Sequence, residues 1–325
     1  MTMTTGNNII LTLTGSSHGD FVGGILKNFP ADIAVDFNLI ADDLQRRKPQ
    51  IFGTPRKEDD EPEFLSGIAD GITDGADIVF KVKNTDVKVK DYENFAGYFR
   101  PSHADYPYYI KYGEDSLRYK DAASARMFLP VVIAGSFCKM FLKQKGISVN
   151  AEVTEIGGID FINNRDKAEK LLNDVLNTGD TVGGAVKCTI NGLKAGIGNP
   201  VFDKLQSNLA KTVMNIPSAV SFSLGDIQDR HKIKGSEDID NWNGDFSTKT
   251  NHSGGINAGI SSGMPVVFYA GFHPVHTLGR EMTLIGKNGE LITRKIGGRH
   301  DICAVLRTPV IVESVAALTI TDYIL

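Results

Sequence analysis

Residues Leu129–Leu142 have the sequence LPVVIAGSFCKMFL, which is apolar at nearly every position. A helix that is hydrophobic all round lies in the interior of a protein or in a membrane. This stretch is shorter than the roughly 18 residues that a membrane-spanning helix needs, and no other stretch approaches that length. The sequence therefore predicts a helix buried in the core of a globular fold, and we expect no membrane association.

Four further helices are predicted around this core helix. A helical apolar spacing runs from Ala168 to Leu176, with Asn164 as the N-cap and Gly179 as the stop. Pro200 fits the first turn of another helix. That helix would carry an apolar stripe of Phe202, Leu205, Leu209 and Val213. The remaining two are Asn38–Arg47 and Val310–Leu325, the latter rich in β-branched residues that disfavour helix.

Short segments with alternating polar and apolar residues predict a large content of sheet. The predicted strands are Ile9–Leu13, Ile78–Val82, Val149–Ile156, Ala185–Ile190, Ala219–Leu224 and Val266–Phe272. Glu281–Gly286 and Glu290–Lys295 flank Asn288-Gly289, a hairpin signal in which both turn residues would take positive φ. Strands and helices mix without strict βαβ alternation, which predicts an α+β fold of layered β-α-β architecture, with residues 1–325 as one large domain.

Composition narrows the class of protein. The 325 residues are 41% hydrophobic and 23% charged, as in an ordinary globular protein, and the net charge of −4 gives no general affinity for nucleic acid. Three widely separated cysteines argue against both a disulfide framework and a thiolate metal site. The first residues lack the basic start and apolar run of a secretory signal. We therefore expect a cytoplasmic protein without nucleic-acid partners.

Three separated histidines lie in short polar motifs, and they point to an enzyme. The motifs are Gly15-Ser16-Ser17-His18-Gly19, Arg100-Pro101-Ser102-His103-Ala104-Asp105 and Gly298-Arg299-His300-Asp301. The imidazole side chain titrates nearest neutrality, so a histidine beside arginine, glycine or carboxylate is suited to proton transfer. One polar loop histidine is more often structural than catalytic, but three such motifs together favour catalysis.

A long polar segment, from about residue 225 to 255, has almost no apolar periodicity and contains the only tryptophan, Trp242. Loops of this length in compact domains are usually lids, binding loops or disordered excursions. The segment leads into glycine-rich turns, where backbone amides could approach a ligand closely. We expect it to cover the ligand site.

Other site types fit the sequence less well. Gly15–Gly19 satisfies the G-x-S-x-G pattern of a serine hydrolase, but that elbow should open a helix, and Phe21–Pro30 is strand-like. His273 and His276 have no nearby carboxylate or thiolate, so we expect no metal site.

The ordered motifs resemble the chorismate synthase family, from about Ile9 to the carboxyl end. Besides the three histidine motifs, the matching segments are Gln45–Pro49, Thr54–Glu58, Lys111–Gly113, Gly198–Leu205, Ser253–Ile256, Gly259–Gly263 and the stretch to Arg307 and Pro309. One such match would be weak, but so many in order rarely arise by chance.

The resemblance implies a lyase. The expected reaction is the anti 1,4-elimination of phosphate from 5-enolpyruvylshikimate-3-phosphate to give chorismate, with reduced FMN as cofactor and no net redox change. It also implies catalytic roles for three residues. His18 would protonate the departing phosphate, His103 would donate a proton near the flavin N1 edge, and Asp301 would accept a proton through flavin N5.

A substrate with two carboxylates and a phosphate requires fixed cations, and arginine grips such groups in bidentate fashion. From the resemblance we expect substrate binding by Arg46, Arg47, Arg56, Arg100, Arg126 and Arg307. Flavin binding is expected from Ser124, Asn215, Ala258, Gly259, His273, Thr277 and Arg299.

The chain departs from the family pattern before the core helix. Where the family has Arg-Gly-Gly-Gly-Arg-x-Ser-x-Arg-Glu, residues 118–127 are RYKDAASARM. A family glutamate is also replaced by Ser16, and a family lysine by His273. Loss of one charge-assisted phosphate contact would weaken flavin binding by about 1.5–3 kcal/mol.

These departures leave an alternative open, namely a catalytically impaired relative that serves as an anion-binding scaffold or sensor. Retention of His18, His103, Arg299 and Asp301 favours the enzyme. The family resemblance further implies a homotetramer.

Overall fold

A layer of helices lies between two five-stranded antiparallel sheets. This is the arrangement in the computed structural model, which describes residues 3–48, 52, 59–85, 97–113, 121–226, 230–296 and 301–325. The α+β class and the layered β-α-β architecture predicted from the sequence are confirmed.

The strands form the two large sheets and three smaller ones. Their bounds are β1 Thr4–Thr5, β2 Ile10–Gly15, β3 Phe21–Lys27, β4 Pro62–Ser66, β5 Ile68–Ala69, β6 Ile72–Thr73, β7 Ile78–Lys83, β8 Tyr98–Phe99, β9 Ser148–Ile156, β10 Ile159–Asp160, β11 Gly184–Asn191, β12 Ala219–Leu224, β13 Ile256–Asn257, β14 Ile260–Ser261, β15 Val266–Phe272, β16 Glu281–Gly286 and β17 Leu291–Lys295. The first large sheet has the order β1-β2-β3-β7-β4 and the second β10-β9-β11-β15-β12. A three-stranded sheet, β17-β16-β8, and the hairpins β5-β6 and β13-β14 complete the set.

The helices are α1 Phe37–Arg47, α2 Asp105–Tyr112, α3 Leu129–Gln144, α4 Arg165–Thr178, α5 Leu205–Met214, α6 Gly235–Asp238 and α7 Pro309–Ile324. Helix α3 packs on β2 and β3 of the first sheet, and α7 packs on β9 and β11 of the second. The two helices also pack against each other, and α1 contacts both. The predicted buried helix is therefore the element on which the first sheet rests.

Helix α7 shows burial overriding local propensity. Its β-branched residues disfavour helix, yet every residue from Val310 to Thr321 is buried. An apolar segment in this position must satisfy its backbone groups internally, and a helix does so without a partner strand. The prediction of a helix at Val310–Leu325 is confirmed.

The predicted start of the helix at Pro200 is wrong. Helix α5 begins at Leu205, and Phe202 is 86% exposed rather than part of a buried stripe. Gly198 and Asp203 take φ values of 116° and 57°, which no α-helix accommodates. Leu205, Leu209 and Val213 do form the buried stripe.

The hairpin between β16 and β17 is present, but its turn differs from the predicted one. Gly289 has φ 87°, whereas Asn288 does not take a positive φ. The Gly289 amide donates to the Gly286 carbonyl, and the Gly286 amide donates to Glu290. This is the three-residue loop in which one left-handed glycine closes the hairpin.

One described segment, Ala125–Gln144, is long and apolar enough to cross a membrane by length and composition. However, 83% of its most apolar window is buried inside the fold, as in the core helix of a globular protein.

Helices α3 and α7 approach closely at Gly135. A Cβ added to Gly135 would lie 2.4 Å from the Cβ of Ser314 and 2.6 Å from its Cα. Such distances do not occur between real side chains, so the glycine sets the separation of the two core helices.

We therefore expect Gly135→Ala to destabilise the protein by about 1–3 kcal/mol through overpacking. At an uncrowded helical position the same change would stabilise by roughly 1 kcal/mol. Because Ser314→Gly removes the opposing Cβ, the double variant should be less destabilised than the sum of the single variants. Urea denaturation of the four proteins measures this difference, and a Gly135→Ala protein as stable as wild type would contradict the packing argument.

Candidate active site

His18 lies in a tight turn between β2 and β3. The Ser16 Oγ accepts from the backbone amides of His18 at 3.3 Å and Gly19 at 3.1 Å. The His18 side chain is exposed, and its Nδ1 lies 3.0 Å from the Ser17 Oγ. Since Ser17 engages Nδ1, proton transfer from His18 would use Nε2.

Two buried arginines stand behind this turn and share one carboxylate. Arg126 donates from Nη1 to Asp60 at 2.5 Å, and Arg47 donates to the other Asp60 oxygen at 3.1 Å. Arg126 also donates from Nε to Asn84 at 3.0 Å, and the Asn84 side chain donates to the Ser16 and Gly19 carbonyls. Two guanidinium groups and one carboxylate give this network a net charge of +1.

His103 belongs to a second network, built on a fully buried carboxylate. Asp105 accepts from the backbone and side chain of Arg100 at 2.8–3.1 Å. The His103 Nδ1 lies 2.9 Å from an Arg100 Nη and 3.2 Å from an Asp105 oxygen. A charged His103 donates Nδ1–H to Asp105, which leaves Nε2–H as the proton available for transfer.

The Asp105 carboxyl is held in its charged form. Burial acts to raise its pKa, but hydrogen bonds and charge from Arg100 and His103 outweigh that effect and hold the pKa well below its ordinary value. Arg100 also donates to the hydroxyl of Thr277 at 3.2 Å, which joins the network to the segment that follows β15.

That segment carries two imidazoles in parallel. The rings of His273 and His276 are 4.0 Å apart and inclined by 3°. The Nδ1 of His276 lies 2.6 Å from the Ser102 carbonyl in the His103 motif. Burial lowers the pKa of His276, and the neighbouring His273 and His103 lower it further, against the opposing effect of the Ser102 carbonyl.

Asn215 lies beside the same segment. It is the C-cap of α5, and the turn after it brings the Ser218 carbonyl to 2.9 Å from the His273 amide. The turn that follows Asn215 thus contacts the segment that carries His273 and Thr277.

Asp301 is buried and forms an ion pair with Arg307. The next residue, Ile302, accepts from the Val182 amide at 2.8 Å, and Thr181 donates to the Val275 carbonyl at 2.7 Å. Through Thr181 and Val182, the backbone beside Asp301 is therefore connected to Val275, which lies between His273 and His276 in the sequence.

Arg46 points to a different place from Arg47. It grips Glu313 with two hydrogen bonds of 2.6 and 2.8 Å and contacts Asp43 at 3.2 Å. Lys139 binds both carboxylates at 2.7–3.1 Å. This cluster ties α1 to α3 and α7, so the guanidinium of Arg46 serves helix packing, and its expected role in substrate binding stays a prediction.

Three expected flavin-binding residues also have structural functions. Ala258 and Gly259 form the turn of the β13-β14 hairpin with φ of 52° and 99°, and the Gly259 carbonyl accepts from the Leu205 amide. The Ser124 Oγ accepts from the Arg126 amide at 3.2 Å and so caps the 3₁₀ turn at Ala125–Phe128.

The structure thus gathers part of the expected residues into two networks, with Arg47 and Arg126 near the His18 turn and Arg100 and Thr277 near His103. Arg46 pairs with Glu313 instead, and Asp301 pairs with Arg307. In the first network, Asp60 and Asn84 bind the two arginines. In the second network, Asp105 binds Arg100. Arg56 and Arg299 lie outside the described residues, as do residues 118–120 of the divergent segment. Met127, in the place of the family glutamate, is 2% exposed and belongs to the hydrophobic core.

The hydrolase alternative finds no support at Ser17. The serine follows a strand, as the G-x-S-x-G pattern requires, but the chain continues into strand β3 rather than a helix. Over the part of the chain that the structure describes, no group of three or more histidines, cysteines or acidic residues could hold a metal ion.

Three residues that hold the two networks together were not predicted from the sequence. Asp60 lies in an acidic run, which by itself indicates only a solvated surface, and Asn84 follows a strand without a motif. Asp105 stood within the Arg100–Asp105 motif, and its charge beside two cations could have identified it.

Comparison with known proteins gives one consistent result. A sequence model of the family described as chorismate synthase matches residues 9–325. A relative named chorismate synthase from Phocaeicola vulgatus is 41% identical, with 98% of this chain and 97% of the relative covered. Another from Christiangramia forsetii is 40% identical, with 97% and 95% covered.

A solved structure shows the same fold. The crystal structure of a chorismate synthase superposes with a TM-score of 0.74 at 22% identity, covering 98% of this chain and 92% of that one. The resemblance inferred from the sequence motifs is confirmed by these matches.

We expect Asp105→Asn to destabilise the protein by about 3–5 kcal/mol near neutral pH, because the buried Arg100 loses its counter-charge. The folded pKa of Asp105 is below its ordinary 3.8, so the carboxylate stabilises above that pH and its contribution is lost as pH falls toward the folded value. The difference from wild type should therefore narrow as the pH falls below about 4. Denaturation at several pH values checks this, with the exposed Asp174→Asn as control; equal stability at pH 7 would refute it.

Proposed function

The chain belongs to the chorismate synthase family, and from that premise we propose that it converts 5-enolpyruvylshikimate-3-phosphate to chorismate with reduced FMN. The match over nearly the whole chain is the observation that carries this proposal. The reaction removes a proton and phosphate across a 1,4-relationship, so a double bond forms without net oxidation or reduction. The impaired scaffold is not favoured.

The chemistry of the second network fits a flavin. Arg100, His103 and Thr277 supply cationic or hydroxyl donors, and His273 and His276 add two imidazoles. Asp105 is already bound by Arg100 and His103, so it does not oppose an anionic ligand. Donors of this kind suit a phosphate and an electron-rich ring.

We assign flavin contact to His273 and Thr277, together with Asn215, Ser124, Arg299 and the Ala258-Gly259 turn. When bound, reduced FMN supplies electron density that assists loss of phosphate from the substrate. The protein's own contribution is to position, to exclude water and to hold protons at defined atoms.

His18 and His103 act as proton donors at their Nε2 atoms. Ser17 engages the Nδ1 of His18, and Asp105 fixes the Nδ1–H of a charged His103. Asp301 is the proton acceptor, held in place by Arg307. Each group can serve as a general acid or base near neutral pH.

The buried pair Arg47 and Arg126, with Asp60, offers a net positive charge behind His18. We propose that this pair attracts the substrate phosphate and that Arg100 and Arg307 bind the remaining anionic groups of the substrate. Arg46 and Arg56 complete the proposed substrate set.

The segment of residues 225–255 is proposed to cover the ligand site. Its described part contains a 3₁₀ turn at Arg230–Lys232 and helix α6. Asp240 cross-links the segment internally by accepting from Thr250 and from the amides of His252 and Ser253, and despite burial these bonds lower its pKa to about 2. The segment is tied to β15 and the residues before it by the Gly225 amide on the Val267 carbonyl and by Asn251 on the Pro265 carbonyl.

We further propose a cytoplasmic homotetramer. Phe202 and Phe246 are 86% and 87% exposed, and β12 lies at the edge of its sheet with Val220 exposed. Exposed apolar side chains and unpaired strand edges support contacts between copies.

The activity is tested directly by anaerobic assay with photoreduced FMN and 5-enolpyruvylshikimate-3-phosphate. We expect phosphate and chorismate to form in equal amounts, with none formed when flavin is left oxidised. The relative from Phocaeicola vulgatus serves as the parallel enzyme. Absence of turnover while that enzyme is active would end the proposal.

We expect His18→Gln, His103→Gln and Asp301→Asn each to lower kcat by about 10²–10⁴-fold, because each removes a proton-transfer group. KM should change much less, since these groups act on the transition state rather than on ground-state binding. Asp174→Asn, an exposed change on α4, should keep wild-type kcat. Steady-state kinetics on proteins with matched circular dichroism spectra would decide; a residue whose loss leaves kcat intact is not catalytic.

A further inference from the structure

One amide side chain bridges two parts of the first network. Asn84 directly follows β7, and its backbone amide donates to the Asp20 carbonyl at 2.9 Å. Its Nδ2 donates to the Ser16 carbonyl at 3.0 Å and to the Gly19 carbonyl at 2.7 Å. Its Oδ1 accepts from the Nε of Arg126 at 3.0 Å. The carbonyls must accept and the guanidinium must donate, so these partners fix the orientation of the amide.

The Arg126 end of this bridge is rigid. The guanidinium is buried, with Nη1 on Asp60 at 2.5 Å and Nη2 on the Lys83 carbonyl at 3.3 Å. Asp60 in turn is held by Arg47, from the end of α1. A side chain with three directions of contact cannot rotate without breaking several of them.

The His18 end contacts the bridge through two backbone carbonyls. The turn has internal bonds from the His18 and Gly19 amides to the Ser16 Oγ and from the Gly19 amide to the Ser16 carbonyl, and the Ser16 amide donates to the Phe21 carbonyl. The Ser16 and Gly19 carbonyls both also accept from Asn84. The Asn84 side chain therefore connects the backbone on both sides of the exposed His18 to the buried Arg126.

We propose that Asn84 is a positioning residue that couples the Arg126–Asp60–Arg47 network to the His18 turn. This inference rests on the proposed function in one respect: it takes His18 as the proton donor. Asn84 keeps the donor at a fixed distance from the cationic pair, so that the imidazole of His18, which gives up the proton, stays aligned with the phosphate, which accepts it. A displacement of about 1 Å at a reacting group can reduce a rate on the order of 100-fold.

The first test removes the amide. We expect Asn84→Ala to lower kcat by roughly 10- to 100-fold. In hydrogen–deuterium exchange of the enzyme without substrate, the His18 and Gly19 amides should exchange about 10-fold faster or more, because the turn opens locally. The matched control is Asn28→Asp, which loses a similar amide bond, from Asn28 Nδ2 to the Asn8 carbonyl, remote from the turn. It should leave kcat and exchange of the turn unchanged.

A double-mutant cycle tests the coupling itself. Arg126→Lys keeps a positive charge for Asp60 but removes the Nε donor to Asn84. If Asn84 transmits the position of Arg126, Arg126→Lys should speed exchange at the turn in wild type and have little further effect in Asn84→Ala. Additive effects would show two independent residues and overturn the proposal.

Two safeguards keep the outcomes distinct. If Asn84→Ala does not fold, Asn84→Ser removes the same contacts with a smaller cavity and replaces it in every comparison. Exchange needs no turnover, so it tests the bridge even if the wild-type protein proves inactive. Wild-type exchange at His18 and wild-type kcat in an active protein would refute the positioning role alone.

Discussion

Helices α3 and α7 are buried on nearly all sides between the two sheets, and this constraint determines where charge can be placed. A helix that is apolar at most positions offers little polar surface to a ligand, and the charged side chains of Lys139 on α3 and Glu313 on α7 are engaged in the ion-pair cluster between the helices. Other charged groups come from the ends of the core helices and from loops at the sheet edges. A 3₁₀ turn at Ala125–Phe128 precedes α3 and carries Arg126, and another at Ala304–Arg307 precedes α7 and carries Arg307. Each arginine meets a buried carboxylate, Asp60 or Asp301.

The helix layer was predictable because it is encoded locally. The sequence of Leu129–Leu142 has no polar face, and this alone indicates burial. The hairpin at Gly289 and the strands Ala219–Leu224 and Val266–Phe272 were found with correct bounds or nearly so. The start of α5 was mispredicted because Pro200 is compatible with a helix start, while the positive φ of Asp203 depends on tertiary contacts that leave no local pattern.

The site was predictable only in part. Histidine motifs identify His18 and His103, but other members of the two networks are distant in sequence. Asn84 and Asp60 bind Arg126 in the first network, and Thr277 binds Arg100 in the second. Adjacent residues on a helix differ by about 100° in direction, so the two arginines of this motif point to different partners in the structure. Sequence alone gives no means of choosing between Arg46, which binds Glu313, and Arg47, which binds Asp60.

The departures from the family pattern change how charge is supplied rather than removing it. Met127 takes the place of a glutamate and joins the core, so the neighbouring Arg126 relies on Asp60 for its counter-charge. His273 takes the place of a lysine and lies parallel to His276 at 4.0 Å. Burial lowers the pKa of His276, and the neighbouring His273 and His103 lower it further, against the effect of the Ser102 carbonyl. The substitution therefore replaces the flexible ammonium of a lysine with an imidazole whose ring lies against His276, and His276 in turn contacts the Ser102 carbonyl of the His103 motif.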